Sequence, residues 1–139
     1  MKKLTRFSAF LLSNLLISLA LSSSASAQTI VCLETDLADV CMELLETEAP
    51  DTAQNFLSYL NRGTYRSSFF HESVNDGDNT YIQAGGFVIT GLSGLQGIQA
   101  VTTSPPVSNE ISISNTRGTV AMVPDDPNNP DSTTSQFLI

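Results

Sequence analysis

Beyond residue 27, one segment of this 139-residue chain shows helical periodicity, "EAPDTAQNFLSYLNRGTY" at residues 48–65. Short runs of β-formers broken by turn residues surround it, and that ratio confines the chain to a mainly β fold with a helix laid over one end. The helix has readable ends. Pro50 suits the first helical position, Asp51 favours the positive helix start and Gly63 suits the stop. Ala53, Phe56, Leu57 and Leu60 recur at helical spacing and form one apolar stripe.

The first 27 residues stand apart from the fold. Lys2, Lys3 and Arg6 precede an apolar run from about Phe7 to Leu21, and Ala25-Ser26-Ala27 closes it. That order is the signature of a secretory signal peptide cleaved before Gln28. A membrane anchor is the competing reading, but the run is short and broken by Ser13 and Ser18. Residues 28–139 then form one exported domain, periplasmic or extracellular. They carry Arg62, Arg66 and Arg117 against fourteen carboxylates, a formal charge of −11. Such a surface repels nucleic acid and anionic lipid, which excludes both as partners.

Two strands are expected between Ile30 and Leu45, turning at Asp36–Asp39. With a four-residue loop, Cys32 falls opposite Cys41, and export permits a disulfide; two buried free thiols are the alternative. After the helix come a strand near Ser67–His71, a polar loop at 72–79 and a strand at Tyr81–Gln83 ending in Gly85-Gly86. Residues 88–105 read as a long surface loop. A strand follows at Thr119–Val123, then a turn-rich loop, "PDDPNNPDSTTS", and "SQFLI" begins a last strand. A chain ending inside an apolar strand leaves an unpaired edge, so the sequence reads as a fragment.

Chemistry is hard to find from the residues alone. His71 is the single histidine, and no nucleophile elbow such as G-x-S-x-G accompanies it. A zinc site needs further ligands than two distant cysteines. "PDDPNNPDS" lacks the spacing and distal glutamate of a calcium loop, so a calcium-dependent adhesion domain ranks last.

Six stretches in order carry a resemblance: "LETDLADVCMELLETEAPDTAQNFLSYLNRGTY", "FFH", "IQAGGF", "PPVSNE", "NTRGTVAM" and "TTSQFLI". Together they resemble the cyclophilin-type peptidyl-prolyl cis–trans isomerases, in particular the exported bacterial branch. The resemblance implies a mainly β, closed barrel capped by helices, here incomplete at roughly its first two-thirds. It implies a monomer that isomerises X–Pro bonds in exported proteins without a cofactor. An X–Pro amide resists rotation by ~18–20 kcal/mol because its nitrogen lone pair is delocalised. The family binds the twisted amide better than the planar one, with a donor aimed at the prolyl nitrogen.

That donor is an arginine directly after the F-H pair; here Phe70-His71 is followed by Glu72. A carboxylate at neutral pH donates no hydrogen bond and reverses the charge. Loss of a preorganised donor costs about 10²–10³ in rate, so reduced activity is expected. The loop from His71 to Gln83 is also three residues longer than the usual form. By the same resemblance His71 and Gln83 join Glu72 at the catalytic positions. Phe70, Thr80, Tyr81, Val123, Pro124, Gln136 and Leu138 take the substrate-binding positions, with Thr80 replacing a pocket phenylalanine. Arg66 is the nearest other donor, but strand alternation does not place it at the site. The alternative function is a non-catalytic peptide-binding module or holdase.

Overall fold

The computed structural model of the protein describes residues 28–77, 79–91, 97–111 and 113–139. The signal-peptide reading of residues 1–27 lies outside them. Among the described residues, eight strands and one helix follow in the order β1 (Ile30–Leu33), β2 (Val40–Glu43), α1 (Pro50–Asn61), β3 (Glu72–Asn75), β4 (Thr80–Ala84), β5 (Phe87–Ile89), β6 (Ile98–Ala100), β7 (Ala121–Asp126) and β8 (Asn129–Leu138). The architecture is mainly β, with ladders β1-β2, β3-β4-β8-β7 and β5-β6.

The β1-β2 hairpin places Cys32 opposite Cys41, and a disulfide joins them. Val31 and Met42 point from this hairpin into the core, where they meet Phe56 of α1, Ala84 of β4 and Phe137 of β8. The expected helix stripe holds in outline: Ala53 and Phe56 are buried, while Leu57 and Leu60 are partly so. Tyr59, which the stripe omits, is fully buried, and its hydroxyl accepts the Ser104 amide at 2.7 Å. A buried phenol is stable there because its polar end is satisfied.

β8 is the central rod of the molecule. Phe137 sits in an aromatic cluster, edge-on to Phe56 at 5.6 Å and to Tyr65 at 5.5 Å. Asn55 donates to the Thr134 carbonyl at 2.6 Å, and the Tyr65 hydroxyl to the Ser135 carbonyl at 2.9 Å. Ser135 in turn donates to the Gly85 carbonyl at 2.8 Å. Gly85 has φ +83°, and a Cβ there would strike the Ser135 carbonyl, so this crossing requires glycine.

Four local expectations change. Residues 67–71 make only a single bridge, Ser68 to Val88, instead of a strand. The polar loop at 72–79 is strand β3 followed by a tight turn, because Asp76-Gly77 is hairpin chemistry and Gly77 takes φ +95°. Part of the loop at 88–105 is strand, since β6 pairs with β5. "PDDPNNPDSTTS" forms the β7-β8 hairpin, turning at Pro127-Asn128, and its strand β7 begins at Ala121. Thr133, Thr134 and Ser135 are buried in it. Small hydroxyl side chains tolerate burial when each hydroxyl finds a partner, and Thr134 donates to Asp125 at 2.7 Å.

The start of α1 is capped from afar. Ala49, at the N-cap, has no side-chain acceptor. Glu110 supplies one, accepting the amides of Thr52 at 2.7 Å and Asp51 at 3.2 Å. Partial desolvation opposes ionisation of Glu110, but these amide donors outweigh it and hold the carboxyl below its usual range.

Two measurements test this framework. Phe137→Ala should destabilise the fold by about 3–5 kcal/mol in urea unfolding, as expected for truncating a buried aromatic. Glu110→Ala should lower stability by about 0.5–1 kcal/mol near pH 7, the lower range for a cap because the carboxylate is water-screened. Its contribution is complete above the unfolded value of ~4.3 and fades as pH falls through the lower folded value. Parent and variant should therefore converge in acid; a gap that persists to pH 2 contradicts the capping role.

Candidate functional site

Alternation along β3, β4, β8 and β7 sorts their side chains onto two faces. The face turned from α1 begins with Glu72, opposite Gln83 in the β3-β4 register, and Val74 opposite Tyr81. It continues through Leu138, opposite Gln83 across β4-β8, and Ala121, opposite Leu138 across β7-β8. Gln136 and Val123 lie two positions along on the same face. The burial of Phe137 fixes this arrangement, because its neighbours on β8 must point the other way.

Gln83 donates from Nε2 to Oε1 of Gln136 at 3.0 Å. Gln136 donates from its own Nε2 to Oδ1 of Asp125 at 3.1 Å. Three residues, the outermost 53 positions apart, thus form one hydrogen-bonded row. Behind it, a Cβ on Gly86 would come within 2.8 Å of Gln136 Oε1 and 3.1 Å of His71 Cε1. The missing side chain at Gly86 lets imidazole and carboxamide approach each other. The His71 amide donates to the Gln83 carbonyl at 3.0 Å, and its ring meets Phe87 edge-on at 5.0 Å. Its Nδ1 is buried without a hydrogen-bond partner.

Glu72 is exposed at the edge of this face and accepts the Tyr81 hydroxyl at 3.1 Å. That hydrogen bond, reinforced by the charge of Glu72, keeps the phenol protonated to higher pH than an ordinary tyrosine. No arginine stands in its place. Arg66 lines a separate cleft of about 660 Å³ with Phe69 and Phe70. Arg62 lies over the Tyr59 ring at 4.6 Å. A second cleft, about 780 Å³, opens between β2, the start of α1 and residues 108–122. Neither cleft includes Glu72, Gln83 or Gln136.

Of the residues singled out from sequence, Glu72, Tyr81, Gln83, Val123, Gln136 and Leu138 share the face, with His71 beneath it. Thr80 lies on the opposite side of β4, exposed, and reaches Asn75 at 3.4 Å. Phe70 belongs to the Arg66 cleft. Pro124 sits at a bulge opposite Thr133, whose carbonyl takes the Val107 amide at 3.0 Å instead. Sequence reading missed Asp125 and Thr134, because both fall in the segment read as a loop. The run "TTSQFL", β-favouring and alternating, is the signal that locates them. The acids of "PDDPNNPDS" are engaged within the hairpin or beside it, Asp131 taking the Asn109 amide at 2.8 Å. Among the described residues no group of three or more His, Cys, Asp or Glu is placed to hold a metal.

A mainly β fold whose groove face centres on a glutamine pair is the setting of one known class. The family model of the cyclophilin-type peptidyl-prolyl cis–trans isomerases matches residues 30–139, and the chain belongs to this family. A peptidyl-prolyl cis-trans isomerase of Acinetobacter baylyi is 38% identical over 123 residues, covering 87% of this chain and 59% of its own length. Peptidyl-prolyl cis-trans isomerase B of Escherichia coli is 33% identical over 111 residues, covering 78% and 60%. The isomerase A of Dickeya dadantii is 31% identical over 118 residues, covering 84% and 56%. The chain spans about three-fifths of the length of these relatives.

Gly86→Ala tests the close approach. The added methyl should push Gln136 from Gln83 and shift the side-chain amide NMR signals of both, while changing stability less than Gly85→Ala, where backbone must move. Unchanged amide signals would show that the two glutamines are not held by this contact.

Proposed function

We propose that the protein is a peptidyl-prolyl cis–trans isomerase acting on X–Pro segments of exported proteins, with turnover lowered by Glu72. In this reading residues 1–27 direct export and are removed. No covalent step and no cofactor are required. The reaction needs a surface that favours the twisted amide, in which the prolyl nitrogen regains its lone pair, over the planar one. Leu138, Val123 and the Tyr81 ring offer apolar contact to a proline ring, and the glutamine pair offers neutral donors to the flanking carbonyls.

The observation that carries the lowered turnover is the Glu72–Tyr81 hydrogen bond at 3.1 Å. It occupies the position where the family's cationic donor belongs, and the phenol proton is directed to the carboxylate. Neutral donors stabilise developing charge less than a cationic one, because charge-assisted hydrogen bonds are about twice as strong.

The same observation favours a second reading, a peptide-binding module without turnover. A protease-coupled proline-peptide assay separates the two. The parent should isomerise slowly, and Glu72→Arg should raise kcat/KM by about tenfold or more, a part of the ~10²–10³ that one such donor supplies. Parent activity equal to that of an arginine-bearing relative would refute the role given to Glu72. Peptide binding with no turnover in either form would establish the second reading.

A further inference from the structure

We propose that Asp125 is a positioning residue that sets the polarity of the glutamine pair, an inference that rests on the isomerase reading of this face. A primary carboxamide is nearly symmetric in shape, and either end can face a neighbour. Two adjacent glutamines therefore have two self-consistent arrangements, with donor and acceptor exchanged. What selects one is a group at the end of the row that can only accept or only donate.

Asp125 is such a group. Its Oδ1 accepts from Gln136 Nε2 at 3.1 Å, and its Oδ2 accepts from the Thr134 hydroxyl at 2.7 Å. A carboxylate cannot donate, so Gln136 must turn its Nε2 toward β7. Its Oε1 then faces Gln83, which answers with Nε2 at 3.0 Å. The choice made at Asp125 is thus transmitted to Gln83, 42 positions earlier in the chain and out of contact with it. Thr134 is buried, and its hydroxyl anchors one oxygen of the otherwise exposed carboxylate.

The consequence is chemical. Each Nε2 carries two N–H groups and spends one inside the row. One N–H on each glutamine is left for a peptide carbonyl, giving two neutral donors side by side. With the opposite polarity Gln136 would direct its Oε1 away from Gln83, and carbonyl oxygens would repel the peptide's own carbonyls. On a face whose edge position is Glu72 instead of a cation, these are the donors available to hold the chain flanking proline. Asp125 lies in the β7-β8 hairpin that was expected to be a surface loop, and its ordering by Thr134 makes the selection possible.

The experiment uses the full chain, isotopically labelled, as parent, Asp125→Ala, Asp125→Asn and Thr134→Val. Asparagine can turn either its carbonyl or its NH2 toward Gln136, so it keeps a hydrogen-bonding partner at the end of the row without dictating the polarity. Alanine releases Gln136. The Gln83 side-chain amide signals should move toward free-amide values in Asp125→Ala and fall between the parent and alanine positions in Asp125→Asn, where both polarities are populated. Thr134→Val, which loosens the carboxylate without removing it, should give an intermediate shift. In the proline-peptide assay kcat/KM should fall about three- to tenfold in Asp125→Ala, the size expected for one misplaced hydrogen bond, and the melting temperature should fall with it because the buried Thr134 hydroxyl loses its acceptor. Asparagine should restore the melting temperature and only part of the activity.

Gln83 signals identical in parent and Asp125→Ala would overturn the proposal, as would parental Gln83 signals and activity in Asp125→Asn, which cannot dictate the polarity. The readouts are independent of the isomerase reading: a Gln83 shift without turnover in any form supports the relay and rejects the isomerase.

Discussion

The burial of Phe137 is the constraint from which the rest of this structure follows. Its ring is wedged edge-on against Phe56 and Tyr65, and Asn55 and Tyr65 grip the backbone carbonyls on the strand beside it. Strand geometry then leaves no freedom to its neighbours: with Phe137 inward, Gln136 and Leu138 face outward. A slip of one residue would bury a carboxamide and expose an aromatic ring, and both changes oppose folding. The helix therefore positions the groove without contributing a side chain to it. It fixes the one strand on which the groove is built.

The sheet face that carries the glutamine pair is acidic at both ends. Glu72 stands at its edge, Asp125 at its far end, and the arginines Arg62 and Arg66 are engaged elsewhere. A net charge of −11 over residues 28–139 adds to the same field. In such a field basic segments are favoured over acidic ones. The β3-β4 register sets Glu72 opposite Gln83 and Val74 opposite Tyr81, and from there the Glu72 carboxylate reaches diagonally to the Tyr81 hydroxyl.

Legibility from sequence followed the range of the forces involved. The helix, with Pro50 and Gly63 at its ends, rests on contacts within a few residues, and periodicity exposes these. The hairpin that sets Cys32 against Cys41 was readable as two strands, but its register was open to a one-residue slip, and the fold decided between disulfide and free thiols. The strand β3 was not readable, since "ESVN" is polar on both faces and the turn chemistry of Asp76-Gly77 was its single cue. The β7-β8 hairpin was hidden for the opposite reason. Its Pro, Asn and Asp residues are strong turn formers, yet a bulge at Pro124 lets them sit within strands.

What the sequence by itself determined is a mainly β chain, the helix at Pro50–Asn61 and the family. Those properties depend on residue identity and near-neighbour spacing. The tertiary structure alone decided that Glu110 caps a helix begun 60 residues earlier, that Glu72 pairs with Tyr81, and that Asp125 orients two glutamines. Each is a hydrogen bond whose partners are brought together by chain reversals. Its energy depends on distances of about 3 Å that no local pattern encodes.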